Sequence, residues 1–251
     1  MSIKIALIGA GHFGQAFIER FQESGFDAEL LLSRGRGTNA ELAKAADVLI
    51  LCVRPLQVAA LCQELRAPLQ AQAGQKTVVS FSAATPRAAL EGALGHPVIR
   101  AMSDLQFDQM LSFPDDRIRP LFSAMSHNPL IEVSDETVLE DYTILSACLS
   151  GVAAWQTLHN RAGAQDWLHA YAEFIHEKIG VPFAVLEKIC SKALADPDPE
   201  KTIARIATPG GITESLLAQL DQNPASTFEE LYQAGKSRSA ALSESVAGSL
   251  S

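Results

Sequence analysis

The hexapeptide Gly9-Ala10-Gly11-His12-Phe13-Gly14 is the first stretch whose residue types and spacing point to chemistry. It fits G-x-G-x-x-G, follows the apolar run Ile3-Lys4-Ile5-Ala6-Leu7-Ile8 and opens a helical pattern, the context in which the motif binds a dinucleotide. Gly9 permits the tight turn, Gly11 lets a pyrophosphate approach the backbone, and Gly14 allows close packing of helix on strand. His12 and Phe13 then offer backbone N–H groups at a helix N-terminus, whose partial positive charge favours an anion. About 20 residues beyond the glycines an NAD site places an Asp or Glu on the ribose 2′-hydroxyl. Here that position reads Leu32-Ser33-Arg34-Gly35-Arg36-Gly37, with no acid. Ser33, Arg34 and Arg36 suit a 2′-phosphate through charge-assisted hydrogen bonds, so the pattern selects NADP(H). A second motif, Ala207-Thr208-Pro209-Gly210-Gly211-Ile212-Thr213, puts a Pro-Gly-Gly turn at the start of a helix. Such a turn can form an anion nest, and Thr213 stands beside it as a hydroxyl donor or as a helix cap. His159, His169 and His176 have neither H-E-x-x-H spacing nor a cysteine partner, so no metal site is expected.

The elements that must position these residues are legible as a change of texture along the chain. Short β-rich runs at 3–8, 28–32, 47–53, 77–81 and 97–102 alternate with helical stretches, the pattern of βαβ units. Their continuous apolar character suits a parallel sheet covered on both faces. From about residue 139 strand signals give way to Ala/Leu-rich helical segments at 142–161, 165–179, 182–194 and 211–220. Asp196-Pro197-Asp198-Pro199 and Thr208-Pro209-Gly210-Gly211 punctuate them, and the Ser/Ala-rich tail after Lys236 is expected to fray.

Composition narrows the class further. A chain of 251 residues that is 47% hydrophobic has material for one large core or two modest ones. Its net charge of −9 disfavours nucleic-acid binding through a basic surface. The longest apolar run, 48–53, is of strand length, far short of the ~18 residues of a membrane span, so no membrane partner is expected. Cys52, Cys62, Cys148 and Cys190 form no C-x-x-C pair and read as reduced thiols of a cytoplasmic protein. The helical segments look too apolar for one small sheet domain to cover, which points to a homodimer, the commonest closed oligomer.

Further stretches resemble the pyrroline-5-carboxylate reductase family. Val53-Arg54-Pro55, after Asp47-Val48-Leu49-Ile50-Leu51-Cys52, is similar to the V-K-P that ends a strand in that family. Val79-Ser80-Phe81-Ser82-Ala83-Ala84 is similar to its next strand and loop, S-x-x-A-G. The 207–213 motif, followed by Leu217, Leu220 and Asp221, resembles S-P-G-G-x-T with its downstream leucines and acid, and Ala234-Gly235-Lys236-Ser237-Arg238-Ser239 resembles the final helix. The matches run in order along nearly the whole chain.

The resemblance implies an α/β protein: an N-terminal Rossmann NADP-binding domain over 1–136, then an all-α dimerisation and substrate domain over 137–251. It implies a homodimer or a higher oligomer built from dimers, in which the helical domain interlocks with its partner's. The reaction implied is the proline-biosynthetic one, hydride transfer from NAD(P)H to the imine carbon of a five-membered ring bearing a carboxylate. By the same resemblance Cys52, Val53, Arg54, Pro55, Ser82 and Ala83 join the glycine loop in holding the cofactor. Thr208, Gly210 and Gly211 hold the substrate carboxylate, and Thr213 hydrogen-bonds the imine nitrogen. Two departures stand out. The family's M-P-N-T-P is replaced by Met102-Ser103-Asp104-Leu105-Gln106, which places Met102 and Asp104 at the substrate and adds an acid that should weaken binding of a carboxylate. Its S-G-S-G-P-A survives only as Leu149-Ser150-Gly151-Val152-Ala153-Ala154. A dehydrogenase of the β-hydroxyacid type would need the lysine of G-x-x-x-K, but Gly151 is followed four residues on by Trp155. A non-catalytic NADP-binding or sensing homologue is the other alternative.

Overall fold

In the computed structural model the described residues are 2–250 except 34, 36, 73 and 161; Arg34 and Arg36, two of the expected cofactor residues, lie outside them. The chain divides into two compact units, Met1–Leu139 with Leu242–Ser251, and Glu140–Ala241.

The first unit alternates strands and helices: β1 Ile3–Ile8, α1 His12–Ser24, β2 Ala28–Leu32, α2 Asn39–Ala45, β3 Val48–Leu51, α3 Val58–Gln70, β4 Thr77–Ser80, α4 Arg87–Leu94 and β5 Ile99–Ser103. β6 Met110–Ser112, α5 Arg119–Met125 and β7 Ile131–Glu132 complete it. The sheet order is β2-β1-β3-β4-β5-β6-β7. Neighbours are parallel from β2 to β5, β6 runs antiparallel to β5, and β7 parallel to β6. Side chains alternate between the faces, as a pleated strand requires. Ile5, Leu7, Val48, Ile50 and Val79 pack with Phe17 and Phe122 on one side. Ile8, Leu49, Leu51 and Val78 pack with Leu61, Leu65, Leu90 and Val246 on the other. Burial on both faces explains why these strands read as unbroken apolar runs. The chain reverses direction across the sheet between β1 and β3, the switch point where open α/β sheets bind ligands at their strand C-termini.

The second unit is helical: α7 Leu149–His159, α8 Ala164–Ile179, α9 Phe183–Leu194, α10 Pro199–Ile206, α11 Ile212–Gln222 and most of α12 Phe228–Leu250, with α6 Glu136–Tyr142 leading in. α7 is the central helix. Its residues from Gly151 to Thr157 are all buried, with α8, α9, α10 and α11 around it. Among the described residues of this unit, Leu158 is the large apolar side chain left exposed, so apolarity alone does not call for a partner subunit.

Three expectations need correction. The helix expected over 142–161 is interrupted by a π-helical turn at Thr143–Ala147. The stretch read as punctuation at Asp198-Pro199 starts α10, with the Asp198 carboxylate accepting the Lys201 N–H and Pro199 in the first turn, where its missing N–H costs nothing. The tail expected to fray is helical to Leu250, because Leu242 and Val246 form a buried i, i+4 stripe among the serines and alanines.

Candidate functional site

The glycine loop has the geometry that its motif demands. Gly9 has φ 114°, and a Cβ there would collide with the Cys52 carbonyl; a Cβ on Gly14 would collide with the Gly9 carbonyl. Both glycines are therefore fixed by close approach of backbone to backbone. Gly11 differs. It caps α1 in extended conformation, with open space where a Cβ would lie. The N-cap Gly11 offers no side-chain cap to α1 and the first turn holds no acid, so its N-terminal dipole has no countercharge within that turn. His12 is exposed, and Phe13 is half-buried with its ring 5.0 Å from Phe81 and 5.5 Å from Phe107. An anionic pyrophosphate fits this cradle, since the one glycine facing open space is the one the motif assigns to it.

The expected segments after β3 and β4 meet beside it. The Ser82 hydroxyl donates to the Val53 carbonyl at 2.8 Å, tying the two loops together. Arg54 and Pro55 lead into a short 3₁₀ turn, Pro55–Gln57. Cys52 is half-buried and burial pushes its thiol pKa well up, so it offers no anion to the site. Beneath the second loop lies a pair that sequence gave no hint of. Arg100 on β5 is 2% exposed, donates to the Ser82 carbonyl at 2.9 Å and pairs with Glu136 at 2.7 Å. Glu136 also accepts the Arg87 N–H at the start of α4.

Ala83 leads into Ala84, which has φ 48° and stands where the resembled pattern has glycine. A Cβ in the left-handed region costs about 1–2 kcal/mol, and only part of that returns as reduced freedom of the unfolded chain. Ala84→Gly is expected to raise stability by up to about 1 kcal/mol, read as a higher melting temperature; a lower one would contradict this strain.

At the end of β2 the Ser33 hydroxyl donates to Asn39 Oδ1 at 2.6 Å. One acid does reach this loop. Glu64 on α3 accepts from the Gly37 N–H at 2.6 Å and from Asn39 Nδ2 at 2.8 Å. It lies 27 residues from Gly37, so no local pattern announces it.

Met102 and Asp104 are placed differently from what the resemblance implies. Met102 is 5% exposed and Asp104 2%. The Asp104 carboxylate accepts three backbone N–H groups, from Gln106, Asp108 and Gln109, and so builds the turn that holds Phe107 at φ 54°. Burial raises its pKa, with buried Asp108 adding to the rise and the N–H donors opposing it. The charge expected to repel a substrate is therefore enclosed in its own loop.

In the second unit, Gly211 rather than Thr213 caps α11, which removes the capping role for Thr213. The Gly211 N–H donates to the Thr208 carbonyl at 2.8 Å, closing the turn. The Gly210 N–H donates to the Glu214 carboxylate at 2.6 Å, while Arg238 donates to the Gly210 carbonyl from Nε at 2.9 Å. An external carboxylate would reach the Gly210 N–H by displacing Glu214, an exposed side chain, whereas the Gly211 N–H is committed to the turn. Thr213 is 8% exposed, and its hydroxyl donates to Cys148 Sγ at 3.2 Å. Trp155, at the position where a β-hydroxyacid dehydrogenase needs lysine, is buried with its indole N–H on Asp221 at 2.7 Å. Among the described residues no group of three or more His, Cys, Asp or Glu could hold a metal ion, and no helix is long and apolar enough to cross a membrane.

The first unit is a Rossmann dinucleotide-binding fold and the second an all-helical unit, the plan shared by two-domain nucleotide-dependent oxidoreductases. Within that class the similarity is to pyrroline-5-carboxylate reductases. The chain is 24% identical to that enzyme from Pseudomonas aeruginosa, with 97% of this chain and 98% of the relative covered. It shares the fold of the Plasmodium falciparum pyrroline carboxylate reductase, solved with NADP bound (TM-score 0.59, 17% identity, 96% of this chain and 98% of that chain). It also shares the fold of the Coxiella burnetii pyrroline-5-carboxylate reductase (TM-score 0.56, 19% identity, 97% and 99% covered). No protein-family model matches the chain. The resemblance drawn from the motifs is borne out over nearly the whole length of the chain.

Proposed function

We propose that the chain is an NADPH-dependent reductase of a cyclic imine or imino acid, similar to pyrroline-5-carboxylate reductase. The observation that carries this is the full-length match combined with a buried Thr213 hydroxyl directly after the Pro-Gly-Gly turn. NADPH, when bound, supplies the hydride. An imine is electrophilic once its nitrogen is protonated or hydrogen-bonded, so the chain has to orient the ring and supply one donor rather than a strong base. Gly9, Gly11, Gly14 and the N–H groups of His12 and Phe13 hold the pyrophosphate, with Cys52–Pro55, Ser82 and Ala83 alongside. Thr208 and Gly210 hold the substrate's anionic end, and the Thr213 hydroxyl donates to the imine nitrogen. The Asp104 carboxylate fixes the loop that carries Phe107 through three backbone N–H groups, and Met102 is buried on β5. The domain roles follow: nucleotide binding for 1–136, substrate binding and self-association for 137–251. A cytoplasmic homodimer, or a higher oligomer of dimers, is part of the proposal on the strength of the resemblance alone. Oxidation of NADPH against a panel of cyclic imino acids tests it, with turnover of at least one expected and of none contradicting it.

The choice of NADP(H) over NAD(H) rests on Ser33, Arg34 and Arg36; among the described residues, Glu64 reaches the same loop at the Gly37 N–H. Replacing Arg34 and Arg36 by Ala should weaken NADPH by up to about 1.5–3 kcal/mol per lost charged hydrogen bond and leave NADH nearly unchanged. Equal losses for both, measured by fluorescence titration, would sink the assignment. A cofactor-binding protein without turnover is the second reading. The engagement of the Gly210 N–H by the chain's own Glu214 favours it, and the same panel of imines decides between the two.

A further inference from the structure

Thr213 sits in a socket made by one turn of α7. Its hydroxyl lies 3.2 Å from Cys148 Sγ, and its methyl faces Gly151, where an added Cβ would come within 2.6 Å of Thr213 Cγ2. Cys148 is the N-cap of α7 and directly follows the π-helical turn, which shifts the register of the helix at this point. We infer that Cys148 is a positioning residue for Thr213: with Gly151 it holds the side chain in one rotamer, and it exchanges donor roles with the hydroxyl when an imine binds. The inference rests on the proposal that Thr213 donates to the imine nitrogen.

The chemistry of the pair suits that exchange. A thiol is both a weak donor and a weak acceptor, so the O–H···S bond is easily reversed to S–H···O. When the Thr213 O–H turns to a substrate nitrogen, Cys148 S–H can turn to Thr213 Oγ1, and no heavy atom moves. A carboxylate at this position would instead hold the hydroxyl proton back, since it accepts and cannot donate. The exchange requires the thiol to keep its proton. Burial pushes the Cys148 pKa up to about 11, with the Thr213 hydrogen bond opposing, so the group is S–H at neutral pH. Tyr171, a buried titratable group that interacts with Cys148, is likewise held neutral, its phenol raised by burial. Gly151 contributes by exclusion: any larger residue would displace the Thr213 methyl and with it the direction of the hydroxyl.

Cys148→Ala and Cys148→Ser in the full chain test this. Cys148→Ala should lower kcat for the imine about tenfold, the equivalent of ~1.4 kcal/mol at the barrier, while KM for the imine and Kd for NADPH stay within about twofold. Cys148→Ser, which keeps a donor and an acceptor, should restore most of kcat. In the ligand-free protein the three-bond couplings of the Thr213 methyl carbon should report a single rotamer, and averaging in Cys148→Ala. A purely structural role would lower the melting temperature and leave kcat per folded molecule and the couplings unchanged; either unchanged quantity overturns the inference. If the unmodified chain reduces no cyclic imine, the functional proposal fails, and the couplings alone then decide whether the socket positions Thr213.

Discussion

Thr213→Val is expected to lower kcat for a cyclic imine about 100-fold and to leave NADPH affinity unchanged, the lower end of what a positioned proton donor contributes. Valine keeps the shape that fits against Gly151 and removes the hydroxyl. A hydrogen bond to the imine nitrogen strengthens as hydride arrives and the nitrogen gains electron density, so its loss belongs in kcat. The barrier should rise by about 2–3 kcal/mol, less than for an irreplaceable acid because a solvent proton partly substitutes. Thr213 and the glycine loop belong to different units, which is why cofactor affinity should not move. Losing the bond to Cys148 should cost about 1 kcal/mol of stability at most. Unchanged turnover with a lowered melting temperature would remove Thr213 from the mechanism.

Glu136→Ala should destabilise the first unit by about 3 kcal/mol, near the lower end for breaking a buried ion pair because the Glu136 side chain is 27% exposed. Arg100 is the reason. Its side chain is 2% exposed, and without Glu136 it keeps its charge and loses the carboxylate at 2.7 Å. The Arg87 N–H at the start of α4 loses an acceptor at the same time. Adding Arg100→Met to Glu136→Ala should recover part of the loss, since the buried guanidinium that lost its 2.7 Å carboxylate is then removed as well. Denaturant unfolding measures both. A loss below about 1 kcal/mol for Glu136→Ala, the size of an exposed pair, would contradict the buried-pair energetics.

What was legible in the sequence is what is encoded locally. The glycine loop could be read because a strand, a turn and a helix start lie within 14 residues, and each glycine answers to a backbone approach there. The five long strands could be read because burial on both faces makes them continuous apolar runs. β6 and β7 have no sequence signal, because three and two residues carry no periodicity. α10 hid behind Asp198-Pro199, where a cap and an N-terminal proline look like a break. Asp104 was read from its type and place in a motif, whereas its role is set by three backbone donors in its own loop. A signal for it exists: an Asp side chain readily accepts the backbone N–H two residues on, here that of Gln106. Glu64 at the β2 loop and Cys148 at Thr213 had no such signal, because each reaches its partner across 27 and 65 residues.

The central claim is that this chain delivers hydride from NADPH to the carbon of a ring C=N bond. NADPH carrying deuterium at the transferable C4 position, incubated with the chain and a cyclic imino acid, tests it directly by mass spectrometry and NMR of the reduced ring. The expected result is one deuterium on the former imine carbon, with the transfer lowered about 100-fold in Thr213→Val. NADPH bound but not oxidised, or a reduced ring without deuterium, would contradict the claim.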